Sequence, residues 1–180
     1  MNHPIPNRQH FANIINEHKY KKVAEIGVRR GWYSEWLLKN TEAIVYSIDC
    51  WVDGPENTET HKTIHETVDR LYPYGGRSIL VKGFSQDVVL DFKDETFGLI
   101  YIDALHQYPA INHDIRAWWP KLISGGCMSG HDYNEHIWPG VFRAVNEFVN
   151  EHNLKLYVTG LGDNYGETEQ GQLSWYFFKP

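Results

Sequence analysis

Short apolar runs alternate along the chain with segments that have the spacing or the composition of helices. In several of these segments apolar side chains recur three or four positions apart, as they do on one face of a helix. Strands that alternate with helices form βαβ crossovers, which build a parallel sheet with helices on both faces. The pattern therefore predicts an α/β fold. Its predicted strands are residues 22–28, 43–49, 78–82, 97–103 and 126–130, and its predicted helices are residues 32–39, 58–71, 86–92 and 111–122.

The first residues of the chain have the pattern of an amphipathic helix. Phe11, Ile14 and Ile15 share one side of a helix over residues 8–19. A stripe of this kind normally covers a hydrophobic core. We therefore expect an N-terminal helical segment, residues 1–21, in front of the first strand.

The last third of the chain departs from the regular alternation. A further helix is predicted over residues 141–150, and apolar runs at residues 154–159 and 173–179 flank a polar, glycine-rich stretch, residues 160–172. Two such runs predict a hairpin with a long loop. The loop over residues 162–172 could cover a substrate or form an ordinary hairpin tip, and the pattern leaves both open. No repeat or linker divides the chain, so one domain over residues 1–180 is expected.

Composition and charge narrow the class of protein. With 180 residues and 42% hydrophobic positions, the chain can bury a core without disulfides, so Cys50 and Cys127 are expected to be reduced thiols. The formal net charge is −6, and no basic run is long enough to follow a phosphate backbone, so nucleic acid is not an expected partner. The longest nearly apolar run, residues 97–102, is far shorter than the roughly 18 residues of a membrane helix. We expect a cytoplasmic protein that does not contact a membrane and acts on a small molecule.

The first predicted strand runs into a glycine turn, Glu25-Ile-Gly27-Val-Arg-Arg-Gly31. Glycines between a strand and a helix let backbone N–H groups approach a ligand closely. An NAD-linked oxidoreductase is disfavoured, because its fingerprint needs GxGxxG and these two glycines are four positions apart. Asp49 ends the second predicted strand, where a carboxylate can accept both hydroxyls of a ribose. A nucleoside without a pyrophosphate fits both observations.

These residues resemble the first two motifs of class I S-adenosylmethionine-dependent methyltransferases. Glu25, Gly27 and Gly31 match the E/DxGxxxG motif of that family, and Asp49 matches its ribose-binding acid.

Later segments strengthen the resemblance. Residues 101–108 (YIDALHQY) and 125–133 (GGCMSGHDY) are similar to the branch that contains macrocin O-methyltransferase and cephalosporin-hydroxylase-like proteins. The resemblance spans residues 22–133 and extends to the SWYFF run at residues 174–178.

The resemblance implies both the sheet and the cofactor. The implied fold is a single Rossmann-like doubly wound sheet of seven strands in the order 3-2-1-4-5-7-6, with strand 7 antiparallel. Such methyltransferases usually hold adenine at the turn after strand 3, where this chain has Ser85, and Trp51 could stack near the nucleoside. Glu25 would face the ammonium group of the cofactor. For S-adenosylmethionine, the expected cofactor-binding residues are Glu25, Gly27, Gly31, Asp49, Trp51, Ser85 and Asp103.

Acids and histidines near the ends of the fourth and fifth predicted strands are the candidates for catalysis. Neighbouring strands lie roughly 5 Å apart, so Asp103, His131 and Asp132 could share one ion. Their ligand types suit Mg²⁺ or a similar divalent cation, and the alternative is that the acids cap helices. His106 is a candidate general base, and the alternative is a plain loop hydrogen bond. The predicted catalytic residues are His106 and Asp103, and the predicted metal ligands are Asp103, His131 and Asp132.

The leading hypothesis is a methyltransferase that uses S-adenosylmethionine to methylate a hydroxyl of a sugar or another small metabolite, with or without a divalent metal. The alternative is a non-catalytic nucleoside-binding or assembly module with the same fold. Because the cofactor-binding fold takes up nearly the whole chain, a homo-oligomer is one arrangement that would supply a lid over the site.

Overall fold

One seven-stranded sheet organises the residues that the computed structural model describes, which are 5–52, 60–160 and 173–180. Its strands are β1 (Lys22–Ile26), β2 (Ile44–Asp49), β3 (Ser78–Lys82), β4 (Phe97–Ile102), β5 (Leu122–Gly130), β6 (Tyr157–Val158) and β7 (Trp175–Phe178). They lie in the order β3-β2-β1-β4-β5-β7-β6. β1 to β5 pair in parallel, and β7 pairs antiparallel with both β5 and β6. The predicted sheet is confirmed, including its antiparallel seventh strand and its hairpin.

Helices cover both faces of this sheet. In the described ranges they are α1 (Phe11–His18), α2 (Trp32–Asn40), α3 (Thr60–Leu71), α4 (Ser85–Val88), α5 (Tyr108–Trp118) and α6 (Pro139–Glu151). A one-turn 3-10 helix, Arg8–His10, leads directly into α1. The helix predicted from residue 58 is present from Thr60, because residues 58 and 59 lie outside the described ranges. No helix in the described part of the chain has both the length and the apolar character needed to cross a membrane.

The central strand β4 separates two hydrophobic cores. All six of its residues are buried, and successive side chains point to opposite faces, as a strand requires. Leu99 and Tyr101 join the core under α1 and α2, whereas Ile100 and Ile102 join the core under α5 and α6. Both faces of β4 are therefore dry, and polar groups collect at the end of the strand.

Two strands begin more than two residues away from their predicted starts, β5 and β6. β5 begins at Leu122 and not at Gly126, because Leu122 pairs with Phe97 before the register shifts. The glycine pair at residues 125–126 has the pattern of a turn in sequence, but the ladder continues past this irregularity. β6 covers only Tyr157–Val158 and not residues 154–159, since the preceding apolar side chains pack on the core without pairing to β7.

The turn after β1 lies directly against the end of β4. Gly27 has a positive φ of 89°, which L side chains rarely adopt. A Cβ atom placed there would lie only 2.1 Å from the backbone oxygen of Asp103. Glycine at this position therefore lets the ends of β1 and β4 meet at one edge of the sheet.

Candidate active site

Asp49 holds the turn after β1 to the end of β2. Its Oδ2 accepts hydrogen bonds from the backbone N–H groups of Val28 (2.9 Å) and Arg29 (2.8 Å), and its Oδ1 accepts one from Trp51 (2.8 Å). A carboxylate offers about four acceptor positions, so about one remains for a ribose hydroxyl. Taking both hydroxyls of a ribose, as the sequence suggests, would require one of these backbone bonds to open.

Trp51 sits next to this carboxylate in a left-handed backbone conformation, with φ of 41°. Its indole N–H donates to the backbone oxygen of Arg29 (2.9 Å), and the residue is buried. The ring is therefore fixed beside the β1 turn. A stacking role against the nucleoside stays a prediction.

Glu25 is a buried acid on β1. The hydroxyl of Ser34 donates to its carboxylate, and Ser34 also shares a 2.6 Å hydrogen bond with Ser47 of β2. Burial raises the pKa of Glu25 to about 8, and the nearby carboxylates of Asp103 and Asp49 act in the same direction. At neutral pH this raised pKa favours the protonated form of Glu25.

The ends of β4 and β5 bring together two acids and two histidines. Oδ2 of Asp132 lies 2.7 Å from Nε2 of His106 and 3.4 Å from Nδ1 of His131. The same Nδ1 atom is 3.9 Å from Oδ1 of Asp103. Asp132 also has a positive φ of 60°, which is uncommon for a residue other than glycine. All four residues lie beyond the carboxyl ends of neighbouring parallel strands, where ligands of such sheets bind.

His106 and Asp132 stabilise each other's charged forms. Burial alone would favour the neutral acid, but the contacts with His106 and His131 hold the pKa of Asp132 well below its ordinary value. Burial would also lower the pKa of His106, but the contact with Asp132 and the charge of Asp103 raise it above the ordinary value. His106 and Asp132 therefore form a charge-stabilised pair that can take up a proton.

The ring of His106 is held on its other side by helix α6. Its centroid lies 4.1 Å from that of Trp138, just before the helix. A Cβ atom on Gly140 would lie 2.4 Å from the backbone oxygen of His106, so only glycine lets the helix pack this closely. The predicted base thus has a defined position.

The three predicted metal ligands also lie close together. One ligand atom from each of Asp103, His131 and Asp132 can be chosen so that all lie within 4.8 Å of one another. Two carboxylates and an imidazole are donors that divalent cations accept. Two cationic groups already contact these acids, His106 at Asp132 and Arg8 at Asp103.

Ser85 makes its hydrogen bonds toward the interior. Its hydroxyl donates to Oδ1 of Asp114 (2.6 Å) and accepts from the indole N–H of Trp118 (2.8 Å). Asp114 and Trp118 are both buried in α5. Its hydroxyl therefore bonds to α5 and not to the acids of the other strand ends, and its contact with adenine stays a prediction.

The comparison with family models decides which family the chain belongs to. Residues 24–133 match the family described as a methyltransferase domain, which is more than half of the chain. The chain belongs to this methyltransferase family. The resemblance found in the motifs is thereby confirmed. A search of curated protein sequences finds no match to this methyltransferase.

Solved structures share its fold at low sequence identity. An O-methyltransferase from Bacillus cereus in complex with SAH is 15% identical, with 95% of this chain and 80% of that chain covered and a TM-score of 0.73. The O-methyltransferase TomG from Streptomyces achromogenes, which is involved in tomaymycin synthesis and was solved with SAM, is 13% identical, with coverages of 96% and 79% and a TM-score of 0.68. The fibrillarin pre-rRNA processing protein of Methanococcus jannaschii is 14% identical, with coverages of 88% and 66% and a TM-score of 0.61. Since these proteins differ in function, the likeness establishes the fold of this methyltransferase and not its acceptor.

One residue of the site gives no signal in the sequence. Arg8 precedes α1 in a polar stretch without a motif, yet its side chain is only 7% exposed and its Nη1 lies 3.3 Å from Oδ2 of Asp103. The pairing joins residues 95 positions apart, so only the folded chain reveals it. The glycine-rich loop that could cover a substrate lies outside the described residues.

Glu25 gives a testable pH dependence of the stability of this methyltransferase. The pKa of its carboxyl is about 8 in the folded chain, compared with an ordinary value of 4.5. The carboxyl therefore binds a proton more tightly when the chain is folded than when it is unfolded. The folded state therefore loses stability as pH rises from about 4.5 to about 8. Glu25→Gln should remove this loss, which amounts to several kcal/mol, since a tenfold change in proton affinity is about 1.4 kcal/mol.

Urea denaturation at several pH values measures this effect as the free energy of unfolding. The exposed Glu42 is a matched control, and Glu42→Gln should follow the wild-type pH profile. Identical pH profiles for the wild type and Glu25→Gln would show that Glu25 is ionised in the folded protein.

Proposed function

We propose that this methyltransferase transfers the methyl group of S-adenosylmethionine to a hydroxyl of a sugar or another small metabolite. The observation that carries the proposal is the convergence of Gly27, Asp49, Asp103, His106 and Asp132 at the carboxyl edge of the sheet. The turn at Gly27 has no room for a side chain, and Asp49 and Glu25 offer acceptors for hydroxyl and ammonium groups. The complexes of the Bacillus and Streptomyces proteins with SAH and SAM support the same cofactor for this fold.

The chemistry assigns separate tasks to the residues of the site. S-adenosylmethionine, when bound, supplies an electrophilic methyl group on its sulfonium. The acceptor oxygen forms a bond to the methyl carbon as the carbon–sulfur bond breaks, which leaves S-adenosylhomocysteine and a methyl ether. His106 accepts the hydroxyl proton, and the carboxylate of Asp132 stabilises the charge that His106 gains, before the proton passes to solvent.

Binding of both cofactor and acceptor tests the proposal. Isothermal titration calorimetry with S-adenosylhomocysteine should show heat of binding for the intact protein. Incubation with S-adenosylmethionine and a panel of sugars, phenols and nucleosides should then release S-adenosylhomocysteine with at least one acceptor. Absence of cofactor binding would contradict the proposal, whereas binding without transfer across a broad panel would favour the non-catalytic module.

A divalent cation is a second element of the proposed function. Asp103, His131 and Asp132 would hold it, and it would supply Lewis acidity toward the acceptor oxygen. The donors fit Mg²⁺ or Mn²⁺, although Arg8 and His106 compete for the two carboxylates.

Titration with Mn²⁺ checks this assignment directly. Calorimetry should show binding to the wild type and none to Asp103→Ala, and a chelator should abolish methyl transfer. Asp91→Ala, which removes an exposed acid near β4, should bind the ion as the wild type does. Full activity in the presence of the chelator would leave the His106–Asp132 pair as the means of activating the hydroxyl.

A further inference from the structure

Arg8 is a buried cation that lies outside the family-matched residues 24–133. Its Nη1 lies 3.3 Å from Oδ2 of Asp103, and its guanidinium carbon lies 5.4 Å from the ring centroid of Tyr33. The hydroxyl of Tyr33 donates to the backbone oxygen of Arg8 (3.1 Å), which fixes the segment before α1 against α2. The arginine is therefore anchored at the end of β4 by contacts to two other elements.

The surroundings of Arg8 are acidic. Glu25 lies near the end of β1, Asp49 ends β2 and Asp103 directly follows β4, and these three strands are adjacent in the sheet. The charges of Asp49 and Asp103 both act on the buried Glu25. The charge of Arg8 acts on the same carboxyl in the opposite direction. Two other arginines lie in the turn after β1. Arg29 is exposed, and Arg30 pairs with Glu66 at 3.3 Å. Arg8 is thus a buried positive charge that contacts Asp103 and acts on Glu25.

The amino-acid end of S-adenosylmethionine carries both an ammonium and a carboxylate group. The carboxylates of Asp49 and Asp103 complement the ammonium group, but they repel the carboxylate group of the cofactor. A guanidinium carries five N–H donors in a planar fork whose geometry matches a carboxylate. We propose that Arg8 binds the α-carboxylate of S-adenosylmethionine while its contact with Asp103 keeps it at the strand end. This inference rests on the proposed function and adds a residue from the N-terminal segment to its cofactor site.

A comparison of two ligands separates this role from a purely structural one. S-adenosylhomocysteine carries the α-carboxylate, whereas 5′-methylthioadenosine lacks the whole amino-acid portion. If Arg8 binds the carboxylate, Arg8→Gln should lower the affinity for S-adenosylhomocysteine by about 10- to 100-fold. This is the usual contribution of a charge-assisted hydrogen bond to binding. The same variant should bind 5′-methylthioadenosine within about twofold of the wild type. An arginine that only supports the fold would affect both ligands equally.

Calorimetry with the full chain measures both affinities, by displacement where the binding is weak. Arg143→Gln removes an exposed arginine of α6 and should change neither affinity. Arg8→Lys keeps the positive charge but lacks the planar guanidinium. It should lower the affinity for S-adenosylhomocysteine by about tenfold and leave the affinity for 5′-methylthioadenosine unchanged. This variant carries the test if Arg8→Gln does not fold.

The possible failures point to different conclusions. Equal losses for the two ligands, or no loss for S-adenosylhomocysteine in either Arg8 variant, would overturn the role of Arg8 while the proposed function stands. A wild-type protein that binds neither ligand would overturn both proposals together.

Discussion

Asp49→Ala is expected to lower the affinity for S-adenosylhomocysteine by at least about 100-fold, as measured by calorimetry. The carboxylate is the proposed acceptor for the ribose, and hydrogen bonds to a charged group contribute about 1.5–3 kcal/mol each. It also accepts hydrogen bonds from the backbone N–H groups of Val28 and Arg29 in the turn after β1, and of Trp51 just after β2. The substitution removes both the ribose contact and the bonds that hold the turn, so the two losses add.

The control for this variant separates binding from folding. Asp91→Ala should bind S-adenosylhomocysteine as the wild type does, and thermal unfolding should show that Asp49→Ala is still folded at the temperature of the titration. A folded Asp49→Ala protein with an affinity within about threefold of the wild type would exclude Asp49 as the ribose acceptor.

His106→Gln is expected to lower the rate of methyl transfer by about 100- to 10,000-fold, the usual contribution of a general base. The glutamine amide can still contact Asp132, but it cannot accept the hydroxyl proton. Asp132→Asn should cause a similar loss, because the amide does not stabilise a charged His106. The double variant should be little slower than either single variant, since the two residues act as one unit.

Release of S-adenosylhomocysteine measures these rates, and calorimetry should show that cofactor affinity is unchanged in His106→Gln. His113→Gln, at an exposed position of α5, should keep the wild-type rate. A rate within about threefold of the wild type in His106→Gln would assign activation of the hydroxyl to other groups, with the divalent cation as the first of them.

Most of the fold could be predicted from local patterns. The buried strand β4 is a continuous apolar run, and the helices carry apolar side chains at helical spacing, so both elements are visible in sequence. The order of the strands came from the family resemblance. The sequence pattern places the start of β5 at Gly126, which is too late, because only the pairing of Leu122 with Phe97 shows that the ladder begins earlier.

The sequence predicts those site residues whose positions follow from the ends of neighbouring strands. Asp103, His131 and Asp132 follow parallel strands that neighbour one another, so their proximity follows from the topology. The contact between Arg8 and Asp103 was not predictable, because it depends on how a polar segment outside the sheet packs. The inward bonds of Ser85 to α5 depend on side-chain packing in the same way.

The insertion of β7 between β5 and β6 has a consequence for folding during synthesis. β5 ends at Gly130, and its neighbour β7 begins only at Trp175. At a synthesis rate of about 5–20 residues per second, several seconds pass in which one edge of β5 has no strand beside it. During that time the backbone N–H and C=O groups of β5 around Cys127 and Met128 lack their partners on β7 and could pair with another chain. We therefore expect the yield of native protein to depend on protection of this edge during synthesis as well as on the stability of the finished sheet.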